Sequence, residues 1–280
     1  MRRGAKSWWE GSLLLVLLPV LLGAGGPPER AVTPDPAAER ALVERINESR
    51  ARNGLPKLEL NPLLALAARA HALEMARQRQ VTHRFPQEAE LRLRVADTGL
   101  RFDFAGENVG VASDAEQADQ AFLSSPGHRE NILQPAANAV GVGAIRTEEG
   151  LWVTEDFAHV VPGYNSQQVE ELVAQGIAEA RREAGLQPLL SRVLKPLREE
   201  ACDMAGRDSL EFSRGLLPSR KGTLVRIAYA IADPVLLPPS IQELVARKRP
   251  DSFSLGACPG RTATYPSGAY WIVVVFYFSQ

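Results

Sequence analysis

Ser125-Pro126-Gly127-His128-Arg129-Glu130-Asn131-Ile132-Leu133 is the stretch on which the fold turns. Ser125 followed by Pro126 has the form of a helix start, a capping residue and then a proline whose missing N–H costs nothing in the first turn. Such a start places His128 near the positive end of a short helix, which disfavours imidazolium and favours a neutral, ligating ring. Downstream come Val140-Gly141-Val142-Gly143 and two β-branched, aromatic runs, Val140 to Ile145 and Leu151 to Val160, around Glu148-Glu149-Gly150. That is the pattern of a hairpin. Upstream, Gly106-Glu107-Asn108-Val109-Gly110 reads as a turn that Asn108 closes after Glu107. Further upstream, Met75-Ala76 and then Val81-Thr82-His83 end a helix that starts at Asn61-Pro62 and runs through Leu63, Leu66, Ala70 and Leu73. An earlier helix gathers Leu42, Val43 and Ile46 on one face and stops at Asn53-Gly54.

In this order and at these distances, the Met-Ala/His83 segment, the Gly-Glu-Asn motif and Ser-Pro-Gly-His-Arg resemble the CAP superfamily, and most of all its shorter bacterial branch. That group contains cysteine-rich secretory proteins, insect venom antigens and plant pathogenesis-related proteins. The likeness spans about Ala41 to Val160; the combination is specific, whereas each motif alone is weak. It implies an α+β fold, an α-β-α sandwich with a surface cleft where two histidines and acidic side chains converge and can hold a divalent cation, zinc foremost. By motif, His83 corresponds to the first histidine, Glu107 to the acid of Gly-Glu-Asn and His128 to the second histidine. Relatives often carry a second acid on the preceding helix near a tryptophan. Here Phe122 stands at the tryptophan's place, and Glu116 and Asp119 lie nearby without matching the motif.

Neutral imidazoles suit zinc, and a carboxylate can bind the metal or orient its water. The long intervals between His83, Glu107 and His128 lack zinc-finger spacing, so a metal site at these residues rests on the resemblance. His71, among alanines on the second helix, reads as a packed histidine, and His159 lies just past a strand. Glu155 and Asp156 alternate across that strand and read as a solvated edge.

The same order of residues recurs later in the chain. Ile46, Arg50, Gly54, Leu55, Leu58 and Leu63 match Ile177, Arg181, Gly185, Leu186, Leu189 and Leu194 at one constant offset. Gly143-Ala144 then corresponds to Gly256-Ala257, and Trp152 and Phe157 to Trp271 and Phe276, at shorter offsets, so the second copy has lost residues in its middle. The reading is a duplicated domain: residues 39–162 carry the CAP-like domain and 163–280 a degenerate CAP-like repeat. All four histidines fall in the first copy. Tyr229, Gln242 and Glu243 occupy roughly the regions of Glu107 and His128 in the second, so no second metal site is expected. Its closing run, Tyr270 to Phe278, is apolar and β-forming and needs burial.

At 280 residues the chain is long enough for two cores, and 32 Lys and Arg against 33 Asp and Glu leave no field to favour nucleic acid. Arg2, Arg3 and Lys6, the apolar run Ser12 to Leu22 and Gly23-Ala24-Gly25 read as an export signal over residues 1–25. The alternative is an uncleaved N-terminal membrane anchor, although the run falls short of the ~20 residues that span a bilayer and contains Pro19. Residues 26–38 read as a Pro/Ala-rich linker. Cys202 and Cys258 form either a disulfide, as export permits, or two separate buried thiols.

These features point to an extracytoplasmic protein, secreted or periplasmic, with no integral membrane span once the signal is cleaved. Its first expected role is a binding or interaction module for a small apolar molecule, a cell-wall fragment or a protein partner. The second is a metal-assisted hydrolase of peptide or glycan, in which a cation on His83 and His128 activates water and Glu107 takes the proton, making these three the candidate catalytic residues. The helical zinc-peptidase motif, two histidines four apart with a glutamate between, is absent.

Overall fold

The computed structural model of the chain describes residues 32–213, 223–247 and 250–278. The expected export signal and residues 26–31 of the expected linker lie outside the described residues. In the first half, strand β1 (Thr33–Pro34) leads into helix α1 (Pro36–Arg52), followed by β2 (Glu59–Leu60), α2 (Pro62–Gln78), α3 (Leu91–Asp97), β3 (Phe102–Ala112), α4 (Ala115–Ser124), α5 (Pro126–Ile132), β4 (Ala139–Thr147) and β5 (Gly150–Val160). The helix signals at Asn61-Pro62 and Asn53-Gly54 act as expected, whereas the stretch expected to be linker up to residue 38 already holds β1 and the first turn of α1, because Asp35 caps a helix there. Asp35 caps α1 by accepting from the Ala38 amide, Asn61 caps α2 by accepting from Leu63 and Leu64, and α1 stops at Arg52 with Asn53 as its cap and Gly54 following at φ +71°.

The strands form one sheet in the order β1-β4-β5-β3, with β2 parallel on β4 and the β4–β5 hairpin closing at Thr147 and Gly150. Alternation along β5 makes the sandwich. Leu151, Val153 and Phe157 face α1, α4 and α5 around Leu42, Ile46, Phe122 and Ile132. Trp152 and Ala158 face the opposite layer, α2 and α3, around Leu64, Met75 and Val95. The α2 backbone lies so close to β4 that a Cβ on Gly143 would come within 2.4 Å of Ala68 and Arg69.

The second half runs α6 (Ser166–Glu183), β6 (Leu190–Val193), α7 (Lys195–Arg207), β7 (Thr223–Ile231), α8 (Pro239–Arg247), β8 (Ser252–Gly260) and β9 (Ala269–Phe278). Its sheet has the order β6-β8-β9-β7, with β6 parallel to β8 and the other pairs antiparallel, the pairing and directions of β2-β4-β5-β3. β9 is the central strand; it is covered by α6 and α8 on one face and α7 on the other, which answers the need for burial read from its sequence. Cys202 of α7 and Cys258 of β8 are joined by a disulfide.

Two buried polar devices recur in both halves. Arg50 of α1 donates through Nε to Pro56 O (2.8 Å), through Nη1 to Ile132 O and Gln134 O (both 2.9 Å) and through Nη2 to Ala137 O (3.3 Å). Arg181 of α6 donates through Nε to Gln187 O (2.6 Å) and through Nη1 to Val245 O (3.2 Å). Arg69 grips both oxygens of Glu39, whose Oε1 also accepts from the Ala144 amide; Arg198, Glu170 and Ala257 repeat the arrangement. Such satisfaction is what allows charged groups to be buried.

Three expectations are corrected. Gly106-Glu107-Asn108 is no turn but the middle of the eleven-residue β3. Glu155 and Asp156 are fully buried, because β5 has β3 and β4 on either side and helices over both faces. In the second half Tyr229 pairs with Ile272, whereas Arg226, opposite Val275, holds the register place of Glu107 opposite Asp156.

Candidate functional site

β3 is the edge strand of the first sheet, and its alternation sends Glu107 toward the α2–α3 layer. There Glu107 is almost wholly buried and both oxygens are engaged: Oε1 accepts from His83 Nδ1 at 2.9 Å and Oε2 from the Arg94 guanidinium of α3. Arg94 also donates through Nη1 to His83 O (3.1 Å) and Ala89 O (3.2 Å), so the ring and backbone of His83 are held by one ion pair.

The loop that carries His83 is pinned from below by His71. Its Nε2–H donates to Thr82 O at 2.8 Å, its Nδ1 lies 2.7 Å from Glu88 Oε1, and Glu88 Oε2 accepts from the Phe85 amide at 3.2 Å. His71 is fully buried as expected, yet it belongs to the site's support, with Nε2 3.9 Å from Glu107 Oε2. The His83 side chain is 62% exposed. With Nδ1 committed to Glu107, Nε2 is the nitrogen available to a ligand, the arrangement by which carboxylates orient ligating histidines. Glu107 raises the His83 pKa above its ordinary value, against the opposing pull of burial and of Arg94.

Asn108 leaves β3 on the other face. Its Nδ2 donates to His128 O (3.1 Å) and Glu155 Oε2 (3.0 Å), and its Oδ1 accepts from Asn131 Nδ2 (3.0 Å). Asn131 also donates to Glu107 O at 3.0 Å, and a Cβ on Gly106 would sit 2.8 Å from Asn131 Oδ1. The motif thus has three separate jobs: Gly106 admits Asn131, Glu107 holds His83, and Asn108 bolts α5 to the sheet. Pro126 takes the first turn of α5 as read, whereas Ser125 makes no side-chain capping bond. The His128 ring packs edge-on against Phe122, 5.1 Å between centroids. Burial is the main cause that lowers its pKa, followed by the charge of His83.

His83 and Glu107 are therefore in direct contact, and His128 approaches from the other side of the strand. Among the described residues no group of three or more His, Cys, Asp or Glu side chains is arranged to hold a metal ion. The donor chemistry fits a cation only in one form. Glu107, shared between His83 and Arg94, serves from behind, and the imidazoles of His83 and His128 are the groups that could reach an ion. Of the acids near Phe122, Glu116 pairs with Arg45 at 3.4 Å, and Asp119 is buried, which raises its pKa. His159 pairs with Asp103 at 2.7 Å at the start of β3.

Arg94, Asn131, Glu155 and Asp156 complete the network; the sequence assigns none of them to the site, and Glu155 and Asp156 read there as a solvated edge. Burial pushes Glu155 up to about 8. Asp156, beside Glu107, is held well above the usual carboxylate range by burial and by that neighbour's charge, and neither of its buried oxygens has a hydrogen-bond partner.

Residues 43–157 match the model of the cysteine-rich secretory protein family, CAP. Among similar proteins, YkwD of Bacillus subtilis, described as uncharacterized, is 31% identical over 43% of this chain and 47% of its own. An extracellular protein containing an SCP domain from Bacillus anthracis is 28% identical over 44% of this chain and 41% of that one, with a TM-score of 0.41. A cysteine-rich secretory protein from Staphylococcus aureus is 25% identical over 48% and 41% of the two chains, with a TM-score of 0.38. The chain thus spans less than half the length of each of these relatives. No helix among the described residues is long and apolar enough to cross a membrane.

Proposed function

We propose that this is an exported CAP-domain protein whose cleft at β3 is a binding or interaction site for a small molecule, an envelope component or a protein partner. The observation that carries this reading is the state of Glu107. A general base needs a carboxylate free to take a proton, and both Glu107 oxygens are engaged by His83 and Arg94 in a buried setting. What the cleft presents to solvent is imidazole. A hydrolase would require Glu107 to give up its ion pair with Arg94.

A divalent cation, zinc foremost, is part of the proposal, held by His83 and His128 with Glu107 orienting His83; when bound it would act as a Lewis acid toward the ligand. Elemental analysis of purified wild type and His83→Ala tests this first. Stoichiometric zinc in wild type that is lost in the variant is the expected result. Absence of metal, together with no ligand in native mass spectrometry or thermal-shift panels, would sink the binding reading. Hydrolysis of envelope peptides or glycans that disappears in His128→Ala with folding intact would favour the hydrolase instead.

We also read residues 163–280 as a degenerate second copy. The shared pairing order and the repeated Arg50/Arg181 and Glu39/Glu170 devices support this reading. Export over residues 1–25 is supported by the positive and apolar runs there and by a disulfide that needs an oxidising compartment.

A further inference from the structure

We propose that the second half of the chain is a positioning element for the His83–Glu107 pair, acting through Arg261 on helix α3. This goes beyond the binding reading and holds whatever the cleft takes.

α3 is a weak element in a decisive place. It has seven residues, its N-terminus lacks a side-chain capping bond, and it carries Arg94, which holds Glu107 and the backbone of His83. A helix this short does not persist on its own hydrogen bonds and depends on what satisfies its ends. The carbonyls at its C-terminal end are met from the other half. Arg261, in the connection between β8 and β9, donates through Nη1 to Ala96 O at 2.9 Å and through Nη2 to Gly99 O at 2.7 Å. A guanidinium there adds to the Gly99 amide that already donates to Ala96 O (2.9 Å), serves the Gly99 carbonyl and opposes the negative end of the helix dipole.

The same connection holds the next segment. Ser267 Oγ donates to Phe102 O at 2.7 Å, at the first residue of β3, the strand that carries Glu107. Between those anchors the Arg101 guanidinium lies 4.5 Å over the Tyr270 ring. Gly268, at φ +91°, lets it approach, since a Cβ there would sit 2.4 Å from Arg101 Nη1. Tyr270 Oη in turn donates to Pro162 O at 3.2 Å and accepts from the Tyr164 amide at 2.6 Å, tying the connector between the halves. One loop of the second half therefore grips the α3–β3 turn at Ala96, Gly99, Arg101 and Phe102. The two partners of Glu107 that come from outside β3, Arg94 and His83, sit on the other side of that grip. The second half lacks a histidine of its own, and its loop instead fixes the platform beneath the histidine of the first.

The test uses the full chain with Arg261→Ala, Arg261→Lys and Ser267→Ala, followed by hydrogen exchange and mass spectrometry on peptides covering residues 83–99, with residues 169–181 as an internal control. Losing two hydrogen bonds to a charged group corresponds to at least about tenfold faster local exchange. The expected result is that acceleration over 83–99 in Arg261→Ala, a smaller one in Arg261→Lys, and no change over 169–181. The His83 ring resonances should also broaden or shift while those of His159 stay put. Unchanged exchange over 83–99 in folded Arg261→Ala, or an equal rise over 169–181, would overturn the proposal. If Arg261→Ala does not fold, Ser267→Ala decides by the same two peptides. A failure here leaves the metal analysis of the cleft untouched, so the two readings fall separately.

Discussion

Glu107 and Asn108 are consecutive on β3, and their side chains leave it on opposite faces, Glu107 to His83 and Arg94, Asn108 to Glu155 and the backbone of His128. A two-residue motif on an edge strand thereby addresses both helical layers of the sandwich. The His83 ring and the His128 backbone are held by different members of it, and substitutions should separate them.

Asn108→Ala removes three hydrogen bonds, two of them to α5, and leaves the Glu155 carboxyl without its amide. We expect a loss of ~2–4 kcal/mol in urea denaturation. In histidine NMR spectra the His128 resonances should move and those of His83 should not. Equal movement of both would contradict the division of labour.

Glu107→Gln removes the largest upward contribution to the His83 pKa and keeps the two downward ones, burial and Arg94. The variant should titrate at a lower pH than wild type, and Arg94→Ala at a higher one, as read by NMR. Because the folded value lies above the ordinary 6.5, the stability from this pair is fully present below that pH and lost as pH rises through the folded value. Shifts of the same sign in the two variants would refute this account.

Glu155 ionises near 4.5 in an open chain and at about 8 in the fold. Between those values the unfolded state binds fewer protons, so stability falls as pH rises across that window. Glu155→Gln keeps the shape and removes the titration. Its urea midpoint should gain on wild type steadily from about pH 5 to about pH 8. A constant difference between the two proteins would show that the carboxyl is not buried in its neutral form.

Gly143→Ala and Gly127→Ala make a matched pair. The first puts a methyl group within 2.4 Å of the α2 backbone, which cannot yield, and should cost ~3 kcal/mol or more. The second meets nothing within 4 Å on a helix, and should be neutral or stabilising by up to ~1 kcal/mol. Thermal denaturation of both variants gives the contrast directly.

Legibility in the sequence followed locality. Asn61-Pro62, Asn53-Gly54 and the Glu148-Glu149-Gly150 hairpin are set by neighbours a few residues away, and each was readable. The proposed repeat rests on residues that keep their spacing between the two halves. Glu155 and Asp156 were misread because alternation along a strand does not say which strands lie beside it. Asn108 was read as a turn residue because asparagine after Gly-Glu has that local preference, and its partners at Asn131 and Glu155 are distant in sequence. Arg94 gave no signal: an arginine in Leu91-Arg92-Leu93-Arg94 looks like solvated helix surface until Glu107 is placed beneath it.

The buried guanidinium of Arg50 bears on how the first half folds. Its acceptors at Ile132, Gln134 and Ala137 lie far along the chain from α1, and the side chain stays charged at any ordinary pH. A species with α1 docked and the segment after α5 still loose would leave that charge in an apolar core with most of its acceptors missing. Such a half-assembled state is penalised, so the docking of α1 is coupled energetically to that of α5 and the segment through Ala137.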